Sequence, residues 1–407
     1  MALILANGRL FDGVSDVVRE RAFVFVEGDR IREVSDRPFA GSDAPVLDLG
    51  GRFVMPGLID AHFHAYGSDL NPATIDRQAP ALRALHARRI LEDALMRGFT
   101  SLRDAAGGDA ALAAGLRLRL IKGPRLFYPG LALSQTGGHG DMRAPDHFDG
   151  CACGYCGSLS VIADGPDEMR KLVREQLRQG ASQIKLFVSG GVLSPSDPIW
   201  MNQFCEAEIR VAVEEAATRR AYVMAHAHTN EAAIRCVRNG VRTIEHATLL
   251  EADGAREIAA HDAFAVPTLA IMDGIKRSGA RLGLPQASLD KLAEVERHAL
   301  TAIDHLRQAG AKIGFGTDLL GELMPLQSSE FSLRRQVCEP IEILKQATSV
   351  NAAILKKDGE LGVIADGALA DILVVDGDPL ADIAVLEDPA RLAVIIREGE
   401  LCKNALA

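Results

Sequence analysis

What this chain has little of narrows its reading before any motif is considered. It has no basic excess: 45 lysines and arginines stand against 55 aspartates and glutamates, a formal net charge of -10. With no surplus cations to displace counterions from phosphates, the balance argues against nucleic acid as a partner. The opening MALILANGRLFDG has no basic start, and its apolar run is too short for a signal peptide or a membrane span. A cytosolic protein with no membrane partner is expected. Cysteine is also sparse, seven in 407 residues, and Cys205, Cys236, Cys338 and Cys402 are too scattered to read as a disulfide framework. The other three crowd into Cys151-Ala152-Cys153-Gly154-Tyr155-Cys156. That cluster could hold a structural metal with His147 as fourth ligand, or could be reduced thiols in a loop.

The chain is long enough to bury a sizeable core and long for one ordinary domain, although barrel folds use this many residues in one piece. Residues 1 to about 52 read as short alternating strands (LILANGRLFD, AFVFVEGDRIREV, PVLDLGGRFV), and a similar pattern returns in GVIADGALADILVVDGDPL and RLAVIIREGEL. Neither end makes a full sheet alone, so a small β-sandwich built from residues 1–55 and 358–407 is expected. Between them, residues 56–357 alternate strand-like and helix-like runs. Eight strand candidates (GLIDAHFH, FTSLRDAA, RLFYPGLAL, SQIKLFVSG, YVMAHAH, TIEHAT, FAVPTLAI and KIGFGTDL) are separated by amphipathic segments such as LDKLAEVERHALTAIDHLRQAG. The pattern predicts an α/β chain with a (β/α)8 TIM barrel whose active site lies at the C-terminal ends of the strands. The connection from about Ser134 to Gly165 is long for its class and is expected to cover that site.

The chemistry-bearing residues fall at those strand ends. His62 and His64 close the first strand and point to one face, a spacing that suits zinc and its first-row neighbours. Lys185 lies in the fourth strand, His226 and His228 close the fifth, His246 the sixth and Asp318 the eighth. A lysine inside an apolar strand is costly as a cation and needs a partner or a change of charge. Carbamylation by CO2 would supply both, giving a carboxylate-like group able to bridge two metal ions.

The set VMPGLIDAHFH, the fourth-strand lysine, AHAH, IEHA, FGTD and the closing GVIADGALADILVVDGDPL resembles the amidohydrolase superfamily in its binuclear metal-dependent branch. The resemblance implies a metal-dependent hydrolase in which His62, His64 and Asp318 bind the more buried ion and His226 and His246 the more exposed one. Carbamylated Lys185 would bridge them, and the ions would be Zn2+. For the fifth strand the family pattern favours His226 as ligand, with His228 one layer nearer the mouth, either meeting substrate or orienting a ligand. The ions would acidify a shared water and polarise the scissile carbonyl, while Asp318 carries the proton to the leaving amine. His139, in Gly137-Gly138-His139-Gly140-Asp141-Met142-Arg143, offers a donor for the developing oxyanion. Within the superfamily, GGHGD, Ser189-Gly190-Gly191-Val192 and Ser194-Pro195-Ser196-Asp197-Pro198 look most like the bacterial Xaa-Pro and Xaa-Arg dipeptidase group, which includes ochratoxin-type amidases. That likeness implies a small-molecule substrate, a dipeptide or an N-acyl amino acid, and a homo-oligomer. A free substrate carboxylate needs a cation, for which Arg143 is the candidate, with Tyr155 and His228 as further contacts. A cyclic-amide hydrolase of the imidazolonepropionase type is the alternative.

Overall fold

The structure, a computed structural model, describes residues 2–144 and 157–406. The strands are, in chain order, β1 (Ala2–Leu10), β2 (Arg19–Glu27), β3 (Arg30–Ser35), β4 (Val46–Asp48) and β5 (Phe53–Pro56). Then come β6 (Leu58–Phe63), β7 (Phe99–Asp104), β8 (Arg125–Phe127), β9 (Ala132–Ser134), β10 (Ser160–Ile162), β11 (Ile184–Phe187) and β12 (Val223–Thr229). The last are β13 (Thr243–Leu249), β14 (Phe264–Val266), β15 (Lys312–Ile313), β16 (Ile372–Val375), β17 (Leu392–Arg397) and β18 (Glu400–Asn404).

The two ends of the chain join in one eight-stranded sheet, ordered β18-β17-β16-β5-β1-β2-β3 with β4 beside β1. The join is antiparallel, Leu373 of β16 opposite Met55 of β5 and Val374 opposite Val54. Side chains alternate across a strand, and here each face has its own core. Phe53, Met55, Leu373 and Val375 point into the large core of the middle region, whereas Val54, Ile372 and Val374 meet Leu5, Val26 and Ile31 in a smaller one.

The middle region is α/β and its strands pair in parallel: β10-β9-β11-β12-β13-β14-β15 in one sheet and β6-β7-β8 in another. Parallel neighbours need crossovers, which helices such as Pro80–Met96, Pro166–Arg178, Glu206–Thr218 and Asn230–Arg238 supply. Local chemistry sets their ends. The Asp109 and Thr229 side chains accept from backbone N–H groups in the first turns they cap, and Gly98 (φ +89) turns the chain out of Pro80–Met96 into β7. Every residue of β6 and β7 is buried, as expected of strands covered on both faces.

Three expected strands are shorter or broken. The run RLFYPGLAL divides into β8 and β9. The run FAVPTLAI ends as a strand at Val266, since Pro267 has no N–H to offer a ladder and helix Leu269–Ser278 begins at once. In KIGFGTDL only Lys312–Ile313 pairs with β14; beyond it the backbone turns its hydrogen bonds to β6, with Ala61 N donating to Phe315 O (2.9 Å) and Asp318 N to His62 O (2.8 Å). The run LDKLAEVERHALTAIDHLRQAG is two helices, Gln286–Glu296 and Ala299–Gln308. His147, Tyr155 and the clustered Cys151, Cys153 and Cys156 lie outside the described residues. Among the described residues no helix is long and apolar enough to cross a membrane.

Gly57 is the single residue between the two kinds of sheet. Its N–H donates to Asp371 O (2.9 Å) on the terminal side, while the N–H of Leu58 donates to Gly98 O (3.1 Å). A Cβ at Gly57 would lie 2.2 Å from Thr100 Oγ1 and 2.9 Å from Thr100 Cβ. Gly57→Ala is therefore expected to lower stability by roughly 1–3 kcal/mol, the usual cost of overpacking. Urea unfolding with an unchanged midpoint would show that Thr100 yields without strain.

Candidate metal centre and active site

The site begins with charges inside strands. On β6, His62 Nδ1 is 2.7 Å from Glu245 Oε2 of β13. Glu245 also receives Arg103 of β7 through one guanidinium nitrogen, 2.8 and 2.9 Å to its two oxygens. Arg103 is spent in full: Nε donates to Ala61 O (2.5 Å) and the remaining arm to Thr243 Oγ1 (3.0 Å). Burial pushes the Glu245 carboxyl up, but Arg103 and His62 outweigh it and hold it at about 2. Two turned-in charges and a polarised imidazole thus satisfy one another away from water, the condition under which buried ions are tolerated.

A second buried carboxylate sets the other side. Asp60 accepts from His62 N (3.1 Å), Thr317 N (3.2 Å), Thr317 Oγ1 (2.6 Å) and Gln327 Nε2 (2.9 Å), so β6 is stitched to the turn after β15. Asp318 follows in a left-handed backbone conformation (φ +59), which for a residue with a side chain is strained. One of its oxygens lies 2.8 Å from His64 Nε2 and 3.2 Å from His62 Nε2. Burial raises the Asp318 carboxyl, and the facing His62 and His64 overcome this and hold it well below the usual range.

The remaining strands bring Lys185 on β11, His226 and His228 on β12 and His246 on β13 to the same floor. His246 is itself left-handed (φ +68), which explains how chain neighbours that should face opposite ways both meet His62: Glu245 through a hydrogen bond, His246 ring to ring at 4.8 Å. Outer partners select the ring nitrogens. His246 Nδ1 is 2.8 Å from Thr268 Oγ1, His228 Nδ1 is 2.7 Å from Thr248 Oγ1, and His226 Nε2 is 3.1 Å from Gly190 O. The nitrogens left for a ligand are Nε2 of His246 and His228 and Nδ1 of His226. Burial drives His226 and His246 well below their ordinary range and His228 down to about 3, so these imidazoles are neutral, the form that binds metals. Lys185 is 1% exposed, and burial lowers its amine to about 8.

Donor atoms of His62, His246 and Asp318 lie within 4.8 Å of one another, and His64 Nδ1 is buried with no partner among the described residues. The neutral His246 imidazole and the ionised Asp318 carboxylate in this arrangement fit a divalent first-row ion; against burial and Lys185, Asp318 and Glu245 raise the His62 imidazole, whose Nε2 would exchange its proton for the ion.

Above this floor opens a cavity of about 100 Å³. Its ionisable lining is His62, His64, His139, Lys185, His226, His228, His246 and Asp318, and its outer wall is apolar, with Val192, Leu193, Ile271, Met272, Ile275 and Leu292. The long connection after β9 does reach it, through Gly140, Met142, Leu159 and Ser160. His139 stacks on His226 at 4.3 Å, and a Cβ on Gly140 would lie 2.8 Å from Phe187, so the glycine permits the approach. Arg143 lies beside this wall rather than in it, its guanidinium clasped by Asp141 at 2.7 and 2.6 Å. Tyr155 falls outside the described residues. Sequence reading missed Asp60, Arg103 and Glu245, although each carries the signal that exposed Lys185, a charge within an apolar strand.

Comparison with known proteins agrees with this arrangement. The Amidohydrolase family model matches residues 53–402. Ochratoxinase of Aspergillus niger is 30% identical over 98% of this chain and 86% of that protein, and imidazolonepropionase of Deinococcus radiodurans is 27% identical over 90% and 88%. A prolidase solved in complex with N-methylphosphonate-L-proline is 44% identical, superposes with a TM-score of 0.96, and is matched over 99% of this chain and 100% of that one. The chain belongs to the amidohydrolase family, hydrolases of amide bonds that generally bind divalent metals, and within it resembles the prolidase and ochratoxinase group.

Glu245→Ala should cost about 3–5 kcal/mol, because it leaves Arg103 buried without its counter-charge. Denaturant titration checks this; a loss below about 1 kcal/mol would mean that water reaches the guanidinium.

Proposed function

We propose that this protein is a binuclear zinc hydrolase that cleaves the amide bond of dipeptides or N-acyl amino acids, releasing an amino acid with a free carboxylate. The observation that carries this reading is the convergence of Lys185, the site histidines and Asp318, from separate strands, on the floor of one cavity whose outer wall is apolar. In the same reading the two parallel sheets close into one (β/α)8 barrel over residues 56–357, and residues 1–55 and 358–407 form a β-sandwich. The bonds from Ala61 to Phe315 and from Asp318 to His62 support closure at one seam, and the separate small core supports the sandwich. We further propose a cytosolic homo-oligomer.

His62, His64 and Asp318 would hold one ion, His226 and His246 the other, with carbamylated Lys185 between. Divalent ions there would acidify a water and polarise the scissile carbonyl. Asp318, its oxygen already beside two imidazoles, takes the proton and delivers it to the leaving nitrogen. His139 meets the carbonyl oxygen, and His228, through Nε2, faces the substrate. Arg143 anchors the carboxylate by sharing its guanidinium with Asp141, and Tyr155 adds a donor. The apolar wall favours a hydrophobic side chain over arginine, since among the described lining residues Asp318 is the one carboxylate and it is committed to the floor.

A hydrolysis screen of free and C-terminally amidated dipeptides, with lactams and hydantoins alongside, tests the substrate class. Amidation should reduce kcat/KM on the order of a hundredfold, as expected when a charged partner is left unpaired. Equal rates on free and amidated dipeptides, or turnover of cyclic amides alone, would favour the imidazolonepropionase-type reading that the likeness to that enzyme supports.

Lys185 gives a test independent of turnover. Only the neutral amine attacks CO2, and burial brings that form within reach at about pH 8. Carbon-13 NMR of the metal-free protein in labelled bicarbonate should show a carbamate whose appearance is half complete near pH 8. No carbamate, or a midpoint near that of an ordinary lysine, would remove Lys185 as the bridge.

A further inference from the structure

The segment from Ser189 to Pro198 supplies no proposed ligand and no reacting group, yet three site histidines lean on it. Ser189 Oγ accepts from His228 N (2.9 Å), Gly190 O faces His226 Nε2 (3.1 Å), and Ser194 Oγ lies 2.8 Å from His139 Nδ1. The fit admits no bulk: a Cβ on Gly191 would stand 2.2–2.6 Å from three atoms of the His139 ring, and one on Gly190 would stand 1.9 Å from Pro198 O.

The bonds around His139 have a direction. The Ser194 hydroxyl donates to Gly191 O (3.1 Å), so its oxygen is left to accept from His139 Nδ1–H. Behind it Asp197, wholly buried, accepts from Gly191 N (3.1 Å) and Gln203 Nε2 (3.2 Å), and the same oxygen lies 3.7 Å from His139 Nδ1. Gln203 Oε1 in turn accepts from His139 N (3.0 Å), so backbone and ring of His139 are held by one cluster. Lys291, from helix Gln286–Glu296, locks that cluster by donating to Gly191 O (3.0 Å) and Ser194 O (2.9 Å).

We propose that Ser194 and Asp197 are positioning residues for His139, holding the ring by Nδ1 so that Nε2 is the nitrogen offered to the substrate's carbonyl oxygen. The inference rests on the reading in which His139 meets that oxygen. A buried anion on the Nδ1 side favours a proton there, and the hydroxyl fixes the angle of the ring; displacing such a group by a fraction of an ångström is enough to lose rate.

The test is a double-mutant cycle on the metal-loaded enzyme with the best dipeptide from the screen: Ser194→Ala and Asp197→Asn, each alone and combined with His139→Ala. Asn keeps an oxygen for Gly191 N and Gln203 Nε2, so the loop is retained while the charge is lost. Each single variant should lower kcat about tenfold or more with KM changed less than threefold, and neither should lower it further once His139 is alanine. Gly191→Ala, which evicts the ring, should reproduce His139→Ala. Additive losses would assign the pair a merely structural role and overturn the proposal. Proton NMR separates this from the substrate reading: the exchange-protected imidazole N–H signal that His139→Ala removes should also vanish in Ser194→Ala. If it vanishes while no dipeptide is cleaved, the positioning stands and the substrate assignment falls; if it persists in Ser194→Ala, the positioning falls whatever the substrate.

Discussion

The hydrogen-bonded line Arg103, Glu245, His62 is the constraint on which the rest of the site depends. None of these side chains has appreciable exposure, and any one of them alone would be an expensive guest in a strand interior. Together they are satisfied, and their geometry then dictates what lies around them. Glu245 takes His62 Nδ1, which turns Nε2 toward Asp318; Asp60 takes the backbone of His62 and of Thr317, which brings Asp318 to meet that nitrogen. The strain at His246 and Asp318, both left-handed, is sustained because these bonds overdetermine the backbone.

Around that line the molecule separates two environments. Below, ionised carboxylates are stabilised by arginine and imidazole, while burial keeps His226, His228 and His246 neutral, with lone pairs available to a ligand. Above, the wall from Val192 to Leu292 is apolar and offers a hydrophobic surface over the polar floor. Membership of the amidohydrolase family and the likeness to a prolidase fit a cavity divided in this way.

Much of the fold was legible because its periodicities are local. Two-residue alternation marked the end strands, 3.6-residue spacing marked the helices, and each of the eight expected strand runs contains a strand of the structure. The misreadings were of extent. A run such as FAVPTLAI looks continuous as a string of apolar residues, but Pro267 ends the ladder and the same apolar residues continue on a helix, where they still face the core. Apolar character reports burial, and burial alone does not say which backbone geometry achieves it. That the two ends combine was expected because neither makes a full sheet alone, but the register of the join, Leu373 opposite Met55 in one sheet, is a pairing that no local pattern encodes.

For the site the division is similar. The order of residues alone determined which side chains could carry chemistry: His62 and His64 two apart, Lys185 stranded in an apolar run, His226, His246 and Asp318 at the ends of later strands. Those signals survive in one dimension because strand alternation and the cost of a buried charge are properties of a few neighbouring residues. Only the tertiary structure decided who satisfies whom: Glu245 with Arg103 and His62, Asp60 with Thr317, Arg143 with Asp141, and Ser194 and Asp197 with His139. Hydrogen-bond partners across a fold are set by distances of about three ångströms between residues far apart in the chain, and the left-handed turn at His246 even overrides the opposite facing that alternation predicts for it and Glu245. That reach belongs to the folded chain and has no counterpart in the order of its residues.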